Sequence, residues 1–207
     1  MNMNWKAQPR KIKQKKNSVN QHLNVIITQY FTYSSKKELI FDVGVPVVLS
    51  VALFATIGTL SKSNTEIIKI FTDIITGSLS VMAILAGFNT TCLAIIASTN
   101  QDTLSKLIKE SEQDDESILH KIVTFFSYAI STEIVLLIIG IIYVIINKNL
   151  QDIRIVMNFL DPMVVRVTLS TLGALLSALL LHTLFVSLRN VSLLFRYVLF
   201  IANENNK

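Results

Sequence analysis

One carboxylate, Glu133, sits near the midpoint of the apolar stretch TFFSYAISTEIVLLIIGIIYVII, residues 124–146. No other ionisable residue of the 207 lies as far from both ends of an apolar run. A transmembrane helix needs roughly 20 mainly apolar residues, so this stretch is long enough to cross a bilayer. A charge at that depth costs at least ~2.5–3.5 kcal/mol on insertion scales, and it faces a protein interior, a partner or water. The constellations that usually carry catalysis do not occur around it. The chain has no paired catalytic carboxylates, no histidine pair at metal spacing, no cysteine–histidine set and no glycine-rich phosphate loop. His22, His120 and His182 are far apart and read as interfacial or core residues. Reaction sites need several converging polar groups. An enzyme is therefore not expected, nor a catalytic residue, a cofactor or a metal site.

Depth decides which residues could meet Glu133. Counting 1.5 Å per residue from the expected inner boundary of each run puts Glu133 ~17 Å deep, Ser177 ~16 Å and Asn89 ~13 Å. The depth-matched residues are Ser177, Asn89, Thr90 and Thr91, all neutral. Three states follow. Glu133 is protonated and hydrogen-bonded, or faces a water-filled cation path, or meets its copies across an oligomer axis. One carboxylate per chain is meagre for a transport route but enough to fix an interface, so the favoured role is assembly.

The elements that must position Glu133 are four apolar runs, roughly Leu39–Leu60, Ile74–Ser98, Ile122–Ile146 and Met163–Leu188. They account for 51% hydrophobic residues against 16% charged, and for a mean hydropathy of +0.53. A soluble domain carries about 25% charged residues. The fold class is therefore all-α: a polytopic membrane protein of four transmembrane helices with short amphipathic interfacial helices. Its parts are a basic tail with an amphipathic helix (1–38), the four-helix domain (39–188) with a helical hairpin at 99–121, and a C-terminal interfacial helix (189–207). The first run lacks a small-x-small cleavage site and is expected to be a retained anchor. The lone Cys92 cannot form an intrachain disulfide.

The net charge of +5 is unevenly spread. Grouping alternate segments puts fourteen basic residues on one side of the membrane and four on the other, with Arg166 inside a run. Positive charge stays cytoplasmic, so both termini are expected inside.

Within the tail, Lys11, Lys13, Lys15 and Lys16 form a basic cluster suited to anionic lipid or an acidic partner. Val19, Leu23, Ile26, Ile27 and Tyr30 then fall at helical spacing. Ser35–Glu38 has capping-box spacing and starts the first span. Pro46 removes a backbone bond to Asp42 and is expected to kink the helix there. Asp42 itself is expected at the interface and hydrated. The second run carries a small-residue stripe, with Ala83, Gly87 and Ala94 as its packing positions, and the fourth carries Gly173 and Ala174. The hairpin places Glu112, Asp114, Asp115 and Glu116 at its acidic tip. Asp161–Pro162 is an N-cap and first-turn proline for the fourth run. Beyond it the chain stays apolar to Ala202, either as one projecting helix or broken near Asn190. Arg189 and Arg196 are expected at the cytoplasmic face, as docking residues with the tail and hairpin.

The size, the four-span plan and segments such as GFNTTCLAIIASTN (87–100) followed by the hairpin resemble the KwaA-type membrane subunits of Kiwa anti-phage defence systems. The resemblance spans the whole chain and is one of architecture. It implies a homo-oligomeric, tetrameric inner-membrane sensor that recruits a cytoplasmic DNA-binding partner. The function expected is thus a non-enzymatic sensor or scaffold subunit recruiting a soluble effector. The alternative is a pore-forming or ion-conducting membrane effector.

Overall fold

The structure is a computed structural model, and it describes residues 19–99, 118–149 and 161–204. Among these residues every regular element is helical: α1 (Val19–Tyr33), α2 (Lys36–Leu39), a π-helical turn (Ile40–Gly44), α3 (Val45–Leu60), α4 (Asn64–Ala97), α5 (Ile118–Asn149) and α6 (Pro162–Glu204). Among the described residues, four helices are long and apolar enough to cross a membrane: Lys36–Leu60, Asn64–Ala97, Ile118–Asn147 and Pro162–Ala202.

The helix starts follow local chemistry. Ser35 Oγ accepts from the Glu38 amide at 3.3 Å, and Glu38 Oε2 accepts from the Ser35 amide at 2.7 Å, closing a capping box. Asp161 Oδ1 caps α6 by accepting from the Met163 amide at 2.7 Å. α6 then runs unbroken through Asn190. Its 43 residues extend about 64 Å at 1.5 Å per residue, twice the ~30 Å hydrocarbon thickness.

α2, the π turn and α3 form one continuous span. The wider π turn lies directly before Pro46, which cannot donate to the Asp42 carbonyl. The span absorbs the proline through this local change of winding.

α3 packs on α6 and α4 on α5. Both contacts use a glycine for close approach. A Cβ on Gly173 would overlap the Phe54 ring, and one on Gly140 would stand 2.6 Å from Leu79 Cδ2. Core layers stack along the bundle. Phe54, Phe71 and Ile75 form one, Met82, Leu136 and Leu180 the next. At the end where α1 lies, Cys92, Ile96, Ile122, Phe126 and Tyr197 form a third. Beside it, Tyr30, Phe125, Tyr128, Ala129 and Val186 fasten α1 to the bundle.

α1 buries less of its apolar set than its spacing suggests. Tyr30 is fully buried and Ile26 packs against it, whereas Leu23, Val25, Ile27 and Phe31 are exposed. The small-residue stripe on α4 is uncovered within the chain. Ala83, Gly87 and Ala94 are exposed, and Gly87 has nothing within 4 Å of where a Cβ would sit. They do not pack within the chain. On α6, Gly173 is buried and Ala174 packs on the Phe54 layer. Lys11, Lys13, Lys15, Lys16 and the hairpin acids Glu112, Asp114, Asp115 and Glu116 lie outside the described residues, as does most of the loop between the third and fourth spans.

Candidate functional site

The π turn points Asp42 into the bundle, where it is 0% exposed. This corrects the expectation of a hydrated interfacial carboxylate. Asp42 Oδ2 is 2.6 Å from Arg189 Nη1, an ion pair in which the arginine side chain is only 11% exposed. The same oxygen accepts from Tyr30 Oη at 3.0 Å. Arg189 Nη1 also donates to Ser34 Oγ at 3.2 Å. Its guanidinium lies 4.2 Å from the Phe125 ring centroid and 5.0 Å from that of Tyr30. Two aromatic faces thus offset part of its desolvation, while Nε and Nη2 have no hydrogen-bond partner among the described residues. Arg189 belongs to the bundle interior, which corrects its expected docking role. Arg196 is exposed.

The backbone carbonyl freed by Pro46 is used here. His182 Nδ1 donates to the Asp42 carbonyl at 2.7 Å, and His182 Nε2 is 2.9 Å from Tyr128 Oη. Tyr128 stacks on Tyr30 with ring centroids 3.7 Å apart. α1, the first span, α5 and α6 therefore converge on one carboxylate. Burial holds the Tyr30 phenol above its ordinary pKa, against the opposing pull of Arg189.

Glu133 lies in an adjoining cluster and is also 0% exposed. Its Oε1 accepts from Asn89 Nδ2 at 2.8 Å and from Ser187 Oγ at 2.6 Å. Asn190 Nδ2 extends the set to Asn89 Oδ1 at 3.2 Å and the Phe125 carbonyl at 3.5 Å. α4, α5 and α6 are joined through these four side chains. Glu133 faces its own chain's interior, so this geometry does not present it to copies of itself.

Of the residues matched to Glu133 by depth, only Asn89 touches it. Thr90 and Thr91 are exposed and bond their own helix, at the Ala86 and Gly87 carbonyls. Ser177 is buried, but its hydroxyl has no hydrogen-bond partner among the described residues. The apolar run has its boundary at Leu188, but α6 continues to Glu204, so depth measured from Leu188 does not align α6 with α5. Leu136 shares a layer with Leu180, so Glu133, one turn back, stands level with His182 and Thr183. Side chains tilt toward a helix's N-terminus, which carries the Glu133 carboxyl toward Ser187. The useful signal was the polar pair Arg189–Asn190 inside an otherwise apolar continuation.

At the opposite end, Arg166 donates from Nε to Asn64 Oδ1 at 3.3 Å and from Nη1 to the Gly58 carbonyl at 3.4 Å. Asn64 Nδ2 donates to the Pro162 carbonyl at 3.0 Å. Arg166 thus ties α3, α4 and α6 together there. Among the described residues, no three His, Cys, Asp or Glu side chains converge as a metal site.

The fold and this buried polar seam, the Asp42–Arg189 pair with Glu133 and its partners, define an all-helical, multi-pass membrane protein. No family model, curated protein or solved structure matches this chain.

Proposed function

We propose that the protein is a non-enzymatic scaffold subunit of the bacterial inner membrane, with both termini cytoplasmic, that oligomerises and recruits a soluble effector. The carrying observation is that the ionisable side chains of the seam are turned inward. Asp42 closes on Arg189, and Glu133 on Asn89 and Ser187, within one chain. Side chains so engaged hold helices in place, whereas a conducting route needs polar groups facing water. This favours the scaffold over the pore. The end of the bundle that carries α1 and the extension of α6 is the platform, and the basic asymmetry of the sequence puts that end in the cytoplasm.

The uncovered small-residue face of α4 suits packing against another copy. The resemblance to Kiwa membrane subunits makes anti-phage defence the setting, sensing at the membrane the role, a tetramer the assembly and a DNA-binding protein the partner. Anionic lipid around the basic tail is the expected surroundings.

The test pairs two measurements on purified full-length protein. Affinity capture from the native host should return a soluble partner with the protein in a defined oligomer. Reconstitution in liposomes should give no robust current. A robust current from the protein alone would sink the scaffold reading.

A further inference from the structure

The seam holds two carboxyl side chains and one permanent cation, and its hydrogen bonds determine where the charges lie. The titratable or charged groups facing it are Tyr30 from α1, Asp42 from the first span, Tyr128 and Glu133 from α5, and His182 and Arg189 from α6. α4 contributes the neutral Asn89. Arginine stays protonated in proteins, so Arg189 and Asp42, 2.6 Å apart, form an electrically closed pair. The Asp42 carbonyl can only accept, so His182 carries its ring proton on Nδ1. As a neutral imidazole the ring accepts at Nε2 from Tyr128 Oη, so both of its nitrogens are satisfied without a charge.

Glu133 is the group left over. It has no ion-pair partner among the described residues. Among the described residues, Oε1 takes both of its hydrogen bonds and Oε2 is buried with none. A bare carboxylate in hydrocarbon without a counter-charge is strongly disfavoured. A metal ion would need several converging oxygens. Apart from Glu133 Oε2, Asn190 Oδ1 is the one buried acceptor of this four-residue cluster without a hydrogen-bond partner among the described residues. A proton needs one lone pair.

We propose that Glu133 is an exchangeable proton site, with the proton on Oε2. Uptake converts carboxylate plus proton to carboxylic acid and changes nothing else. Oε1 keeps accepting from Asn89 and Ser187, so the links among α4, α5 and α6 persist. Release leaves one uncompensated negative charge between these three helices, and that charge is what would loosen them. The inference stands on the cluster's own geometry and is independent of the scaffold reading.

Infrared spectroscopy of the full-length protein in lipid nanodiscs tests it. At neutral pH the wild type should show a protonated-carboxyl stretch, lost in Glu133→Gln. An amide there still accepts through one oxygen, so the variant should fold. If it does not, wild-type protein labelled with carbon-13 at its glutamate carboxyls decides the matter, because the band must shift. Absence of the band at neutral pH would overturn the proposal. So would sodium-dependent thermal stabilisation present in the wild type and lost in Glu133→Gln, which would assign the site to a metal cation.

Discussion

Arg189 Nη1 grips Asp42 Oδ2 at 2.6 Å, and that carboxylate lies one helical turn before Pro46. The proline frees the Asp42 carbonyl, the π turn rotates the side chain inward, and α6 supplies both a cation for the carboxylate and a histidine for the carbonyl. A carbonyl that would otherwise stand unpaired in hydrocarbon becomes part of the junction of α1, the first span, α5 and α6.

Breaking one side of this pair is predicted to be far worse than replacing both. Removing one partner of a buried ion pair costs about 3–5 kcal/mol, while an apolar pair of similar volume is often neutral. Asp42→Asn and Arg189→Met should each lower the thermal midpoint in detergent well below wild type. The double variant Asp42→Leu with Arg189→Met should recover most of the loss. Equal damage in all three would refute the pairing.

Tyr30 is the plug that holds α1. Tyr30→Phe removes a hydrogen bond to a charged group, worth about 1.5–3 kcal/mol. Tyr30→Ala should in addition release α1, seen as faster hydrogen exchange in 19–33 with little change in α4 and α5. Burial raises the Tyr30 pKa, so the docked form is favoured at all pH values below the free phenol's, about 10. That preference is lost as the pH climbs beyond it. α1 protection that is flat through this upper range would count against the buried phenol.

Glu133 and its neighbours separate real partners from those matched by counting. Ser187→Ala and Asn89→Leu leave a buried carboxyl short of a donor, at about 1–3 kcal/mol each. Thr90→Ala and Thr91→Ala remove hydroxyls that bond only their own helix and should sit within about 0.5 kcal/mol of wild type. Chemical denaturation of the four variants gives the ranking directly.

The glycines divide in the same way. Gly173→Ala places a methyl into the Phe54 ring, and overpacking of this kind costs about 1–3 kcal/mol. Gly87→Leu meets open space within the chain and should leave the fold intact. If α4 is the homomeric face, Gly87→Leu should instead shift the oligomer distribution in mass photometry, and Gly173→Ala should not.

The sequence by itself determined the number of spans, the helix starts at Ser35 and Asp161, and the place of Glu133 deep in an apolar run with Asn89 among its candidate neighbours. Those features rest on length, hydropathy and capping, which are local. It could not determine which of Ser177, Thr90, Thr91 and Ser187 meets Glu133. That choice depends on how far α5 and α6 slide past each other, and one helix pitch of error replaces every neighbour. Nor could it place Asp42 and Arg189 together, because each alone sits near the end of an apolar run where water is available. The tertiary structure decided both, through α1 covering that end of the bundle and α6 continuing unbroken past it. Water is excluded there, and the two charges are left to satisfy each other.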